Sequence, residues 1–225
     1  MKLKRVALAA GCLMLGLGGC ERATIGEPIP TYDRPQVALL VIDLQKDFLE
    51  RRGRLPVAEA QVTPLLSATN RLVEKAGPLG VEVVYVENHF RRGDVLGNWL
   101  RHGAAVEDDA GAAPDPRVRR VDGHRFAKAQ GDAFSNPDLD AYLRSRSIDH
   151  LVLAGVFADA CIRLTAEGAM NRGYKVNVVS DAVAAATDGR RDRALEALRR
   201  EGAELTDSEQ LLAEWVRREK YLKSR

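Results

Sequence analysis

Asp43, Lys128 and Cys161 are an acid, a base and a thiol at equivalent places in the chain, and residues of these types can do chemistry. A thiolate attacks a carbonyl where a thiol barely does. A carboxylate can take the thiol proton and return it to a departing amine. An ammonium stabilises whichever partner is negative. Asp43 ends the apolar run Val37–Ile42, Lys128 ends a short strand read at 124–128, and Cys161 opens a helix read at about 160–172, after the run 150–155. At a helix start the macrodipole favours an anionic sulfur. Each residue has a plainer reading of its own: a turn cap, a solvated surface lysine, a small buried apolar side chain. Together, at three strand ends, they argue for a site.

The elements that must position them alternate. Apolar runs at 37–42, 81–86, 150–155 and 175–179 read as strands buried on both faces, with shorter strands at 124–128 and near 203–205. Helical spacing covers 57–77, a helix opened by Pro137, and 160–172, 189–201 and 207–222. Alternation of this kind predicts a three-layer α/β, Rossmann-like domain over 37–225, with a mostly parallel six-stranded sheet and helices on both faces. Its sites belong at the carboxyl ends of the strands. A long polar, Gly- and Pro-bearing stretch at about 88–120 interrupts the pattern, and loops of that length are usually functional.

The 225-residue chain has 34 Lys and Arg against 32 Asp and Glu. Lys2, Lys4 and Arg5 supply the excess, so the chain beyond residue 19 carries a net charge of −1. No basic face for nucleic acid follows from such a balance. Residues 1–19 join those charges to an apolar run, Val6–Leu17, too short for a comfortable membrane span. They predict an export signal. Leu17-Gly18-Gly19-Cys20 resembles a bacterial lipobox, which implies an acylated Cys20, a membrane anchor and an envelope location. Glu21, in place of an Asp, favours the outer membrane facing the periplasm. Residues 20–36, with Pro28, Pro30 and Pro35, predict a lipidated Cys on a flexible tether reaching roughly 50 Å when stretched. Of the three cysteines, Cys12 leaves with the signal and Cys20 takes the lipid, so Cys161 has no disulfide partner.

Three motifs resemble those of the isochorismatase-like cysteine hydrolases. They are Val41-Ile-Asp43-Leu-Gln45-Lys-Asp47-Phe48, Lys128-Ala-Gln-Gly-Asp-Ala-Phe134 and Gly155-Val-Phe-Ala-Asp-Ala-Cys161-Ile-Arg-Leu-Thr165. Gly173-Tyr174 and Ser180-Asp181-Ala182 also fit, and the likeness covers about 37–212. The resemblance implies that Cys161 is the nucleophile, Asp43 the proton-transfer group and Lys128 its electrostatic partner. It also implies a cis peptide at Val156–Phe157 and an oxyanion hole from the Phe157 and Cys161 backbone N–H groups. Gln45 is expected to orient neighbouring groups and Asp47 to support its loop. Ala158 departs from the family, which usually has Thr or Ser there; this bears on substrate class. Asp159 reads as a helix cap.

The expected activity is hydrolysis of a small-molecule amide, ureide or N-carbamoyl bond through a thioester. The alternatives are a non-enzymatic, membrane-anchored binding module and a vinyl-ether hydrolase of the isochorismatase type, which does not need the thiol. Phe48, His89, Trp99 and Phe134 are candidate pocket residues, and relatives often pair into homo-oligomers. Neither metal nor cofactor is expected. Of His89, His102, His124 and His150, only Glu87-Asn88-His89 imitates the start of a metal-binding pattern, so His89 is the one histidine open to an irregular metal site.

Overall fold

The computed structural model describes residues 22–224, so the signal segment, Cys12 and the lipobox Cys20 lie outside the described residues. Six strands form one sheet: β1 (Gln36–Ile42), β2 (Val81–Asn88), β3 (His124–Lys128), β4 (Ile148–Val156), β5 (Lys175–Ala184) and β6 (Glu204–Thr206). Their order is β3-β2-β1-β4-β5-β6, and every neighbouring pair is parallel. The sheet is thus wholly parallel. Its order reverses between β1 and β4, the crevice where doubly wound sheets bind ligands.

Both faces are covered, which is why the strands read as continuous apolar runs. Along β1, Val37, Leu39 and Val41 enter one core, and Ala38, Leu40 and Ile42 enter the other. The first core packs under α1 (Lys46–Leu49), α2 (Glu59–Ala76) and, through Leu211 and Trp215, the closing helix α7 (Ser208–Lys223). The second packs under α4 (Pro137–Ser145), α5 (Arg163–Met170) and α6 (Asp188–Glu201). Thr187, Asn136 and Asp207 cap α6, α4 and α7 by accepting backbone N–H bonds.

Three expected elements change on folding. β2 runs two residues past the expected end, to Asn88, whose pleat phase is that of Val84 and Val86. The helix expected at 160–172 is divided: a π-helical turn at Ala158–Ile162 precedes α5, so Cys161 sits in a wide turn rather than at the start of a regular helix. The polar stretch 88–120 contains α3 (Val95–Leu100) and is pinned by buried polar groups. Asp47 accepts from the Ala105 and Arg54 N–H groups, and Gln45 donates to the Ala112 carbonyl.

The expected flexible tether is also corrected. Residues 22–35 are extended, but they are strapped across α4 and α5. The Thr24 N–H and Oγ1 donate to the buried Asp132 carboxylate at 2.8 and 2.7 Å. Arg172 donates to Thr24, the Ile29 N–H bonds the Arg172 carbonyl, and Arg144 holds the Glu27 and Pro28 carbonyls. Prolines keep the segment extended, and a buried carboxylate gives it a fixed partner.

Candidate active site

Asp43 and Cys161 follow β1 and β4, the two strands flanking the switch point, and Lys128 reaches them from the end of β3. The chain leaves β1 through Asp43 with φ 58°, a left-handed conformation rare outside Gly, Asn and Asp. Its N–H bonds the Val86 carbonyl and its own carbonyl accepts from the Gln45 N–H, each at 2.8 Å. This turn aims the carboxylate across the crevice instead of along the chain. On the other side, Gly155 has φ +134°, and a Cβ there would stand 2.0 Å from the Ile42 carbonyl oxygen. Glycine is what lets β4 come close to the end of β1. The Val156–Phe157 peptide that follows is cis.

The three side chains meet, and all are buried: Asp43 is 0% exposed, Lys128 3% and Cys161 7%. Lys128 Nζ lies 2.9 Å from Asp43 Oδ2 and 3.4 Å from Cys161 Sγ. It also donates to the Gln130 carbonyl at 3.1 Å. A fourth residue, absent from the sequence-level set, joins them. Asn88 donates from Nδ2 to Asp43 Oδ2 at 2.8 Å and contacts Cys161 Sγ at 3.6 Å, while its Oδ1 accepts from Lys128 at 2.7 Å. Gln45 fixes Asn88 from behind: its Oε1 accepts from the Asn88 N–H at 2.9 Å and its Nε2 donates to the Asn88 carbonyl at 2.8 Å.

Burial governs the proton affinities. It pushes the Asp43 carboxyl above its ordinary range, against the pull of Lys128. Burial also disfavours the Lys128 charge, but Asp43 and Cys161 outweigh it and hold the ammonium above its usual value. The Cys161 thiol is pushed up to about 12 by burial, with Lys128 lowering it and Asp43 raising it. Burial thus works against the anionic sulfur expected at a helix start, and Lys128 works for it.

The remaining expected residues distribute unevenly. Phe48 is core and meets the Phe157 ring edge-on at 5.5 Å, so it backs the residue after the cis bond. Phe134 is buried between Tyr174 and the Arg172 guanidinium, beneath the strap, in the same core cluster as Cys161. Trp99 stands in solvent on α3, 73% exposed. His89 is half-exposed, with Nε2 3.8 Å from Glu87, and Glu87 is also paired with Arg120. Among the described residues no three His, Cys, Asp or Glu side chains converge as a metal site. Asp159 pairs with Arg190 at 2.5 Å and does not cap, and Ala158 is wholly buried. A cleft of about 710 Å³ lies at the other edge of the sheet, lined by Arg34, Glu74, Glu82 and Arg146 where β1, β2 and β4 begin. It lies at the opposite end of the strands from the trio, a strand length or roughly 20 Å from Cys161.

The isochorismatase domain model matches residues 37–210. Over 161 residues the chain is 32% identical to a probable inactive nicotinamidase of Arabidopsis thaliana, covering 67% of this chain and 81% of that protein. It is 29% identical to streptothricin hydrolase of Streptomyces noursei, covering 71% of this chain and 59% of that longer protein. The N-carbamoylsarcosine amidase of Thermoplasma acidophilum superposes with a TM-score of 0.66 at 28% identity, over 77% of this chain and 96% of that one.

Proposed function

The chain belongs to the isochorismatase family of hydrolases, and from that premise we propose that it cleaves a C–N bond in a small amide, ureide or N-carbamoyl compound, with Cys161 as nucleophile and a thioester as intermediate. The observation that carries the reading is the buried contact of one ammonium, Lys128, with both a carboxylate and a thiol. An acceptor for the thiol proton and a cation for the nascent charge stand where the nucleophile needs them.

Cys161 Sγ attacks the carbonyl carbon while its proton passes to Asp43. The carbonyl π electrons move to oxygen, which accepts hydrogen bonds from the Phe157 and Cys161 backbone N–H groups. Donors of that kind contribute about 2.7–4 kcal/mol each. The tetrahedral adduct collapses as Asp43 returns the proton to the departing nitrogen, so the C–N bond breaks and the thioester remains. Water then attacks the thioester, giving its proton to Asp43, and the sulfur leaves and is reprotonated. Lys128 keeps its proton throughout and offsets the negative charge, whether it lies on carboxylate or sulfur.

The test is a screen of small amides, N-carbamoyl compounds and nicotinamide with ammonia release as readout, repeated with Cys161→Ala. Ammonia release that survives in the folded variant overturns the role of Cys161 as nucleophile. A wild type that binds but turns over nothing points to a binding module. The motif at residues 1–20 supports a second proposal, that the mature protein begins at an acylated Cys20 and resides in the envelope, at the outer membrane facing the periplasm. Intact mass and detergent partitioning test this; an unmodified Cys20 overturns it.

A further inference from the structure

Asn88 touches every member of the reactive trio, and each of its contacts has a defined polarity. Lys128 Nζ can only donate, so the Asn88 atom beside it is Oδ1; an ionised Asp43 can only accept, so the atom beside it is Nδ2. The amide orientation is therefore dictated by its neighbours. Gln45 grips the Asn88 backbone on both its N–H and its carbonyl, which fixes where the side chain starts.

The consequence falls on Asp43. Its Oδ2 accepts from Lys128 and from Asn88, whereas its Oδ1 is buried with no hydrogen-bond partner among the described residues. A buried, unpartnered carboxylate oxygen is costly, and a catalytic role is one reason for a protein to keep one. We propose that Asn88 is a positioning residue that selects the proton path: by occupying Asp43 Oδ2 together with Lys128, it leaves Oδ1 as the atom that takes the proton from Cys161. This rests on the cysteine-hydrolase reading above. When Sγ forms its bond to the substrate carbon, the proton moves to Oδ1; when the C–N bond breaks, it moves from Oδ1 to the leaving nitrogen. Oδ2 exchanges nothing, because its lone pairs are committed. The Nδ2 contact with Sγ at 3.6 Å gives the same amide a donor to the sulfur as negative charge builds there.

The titratable groups that meet Asn88 are Asp43, Lys128 and Cys161, so substitution at 88 should appear in the pH dependence of the thiol. The experiment follows alkylation of Cys161 by iodoacetamide as a function of pH, on the full chain, by mass spectrometry of the peptide that carries it. It compares wild type with Asn88→Leu and with the isosteric Asn88→Asp. No substrate is needed. Wild type should lose reactivity as Asp43 becomes protonated. Removing the Asn88 donor raises the proton affinity of Asp43, so in Asn88→Leu this acid limb moves to higher pH, by about one unit. Asn88→Asp adds a second carboxylate and moves it further the same way. The rate above the limb should fall roughly tenfold or more in both. A purely structural role would lower the melting temperature and leave the limb in place. An unmoved limb in either folded variant overturns the proposal, and the aspartate variant decides if the leucine variant does not fold. Failure of the hydrolase reading is separately visible, as ammonia release that persists in Cys161→Ala.

Discussion

A lysine, a carboxylate and a thiol buried together give the residue scale two measurable consequences. The first concerns Cys161. Its folded proton affinity lies at about 12 against an ordinary 9.0. The folded state thus binds a proton that the unfolded chain releases as pH rises above 9. Stability from this group is fully present below about pH 9 and is lost between about 9 and 12. Chemical denaturation from pH 8 to 11 should show that decline, and Cys161→Ala should flatten it; an equal decline in both proteins would place its cause elsewhere. The second consequence concerns Lys128. Lys128→Met leaves the Asp43 carboxylate buried without its cation, which typically costs about 3–5 kcal/mol. Lys128→Met combined with Asp43→Asn removes both charges and should recover most of that stability while activity stays lost. Urea melts of the single and double variants decide this: a double variant no more stable than Lys128→Met means that the pair is not coupled. The trio itself was legible in the sequence, since residue type and strand-end position do not depend on side-chain detail. Asn88 was not. Its role comes from the register that sets it opposite Lys128, Asn88↔Lys128 across β2 and β3, and from β2 running two residues beyond its apolar run. The available signal was parity: Asn88 continues the phase of Val84 and Val86.

Elements position these groups through the narrow contact between the end of β1 and β4. Parallel strands buried on both faces are recognisable from unbroken apolar runs, so the six strands and most helices could be read directly. What could not be read is how closely two of them approach. Gly155 faces Ile42 in the β1–β4 register, and a Cβ there would lie 2.0 Å from that residue's carbonyl oxygen, on a backbone with φ +134°. Gly155→Ala should therefore force the switch point apart and abolish activity, with a fall in melting temperature well beyond that of an ordinary surface change. Gly77→Ala is the control: φ is −55° and nothing lies within 4 Å of the added methyl. It should be neutral or slightly stabilising, because it removes conformational freedom from the unfolded chain. Thermal melts of the pair test the close approach, and a Gly155→Ala protein as stable as Gly77→Ala would refute it. The divided helix around Cys161 follows the same lesson. Periodicity across 160–172 cannot distinguish a π-helical turn from a regular one, because both present nearly the same face to the core.

At the scale of the whole molecule, the N-terminal strap changes what the folding unit is. Pro28, Pro30 and Pro35 correctly announced an extended segment, but extension alone does not say whether a chain lies free or docked. Docking depends on partners more than a hundred residues away: Asp132 for Thr24, Arg172 for Thr24 and Ile29, and Arg144 for Glu27 and Pro28. Asp132 is the centre of this docking. It is 2% exposed, and of its contacts those to Thr24 come from the strap while the Phe134 N–H comes from its own loop. Without the strap its carboxylate loses both Thr24 donors, and losing partners to a buried carboxylate costs about 1–3 kcal/mol or more. Arg172 would meanwhile lose the carbonyl and hydroxyl of Thr24 while remaining over the Phe134 ring. A chain beginning at residue 37 should accordingly melt at lower temperature than one beginning at residue 22, and Asp132→Ala should reduce that difference, since the strap's main receptor is then gone from both. Cleavage by a broad-specificity protease within 22–35 should be slow in the folded protein and fast in Asp132→Ala. Equal melting temperatures for the two chain lengths, with rapid cleavage in the unsubstituted protein, would show a free tether instead. If Cys20 is acylated as proposed, the outcome also sets how far the hydrolase can stand from the bilayer. A docked strap leaves three residues between Cys20 and Thr24, about 14 Å at full extension, against roughly 50 Å for a free segment.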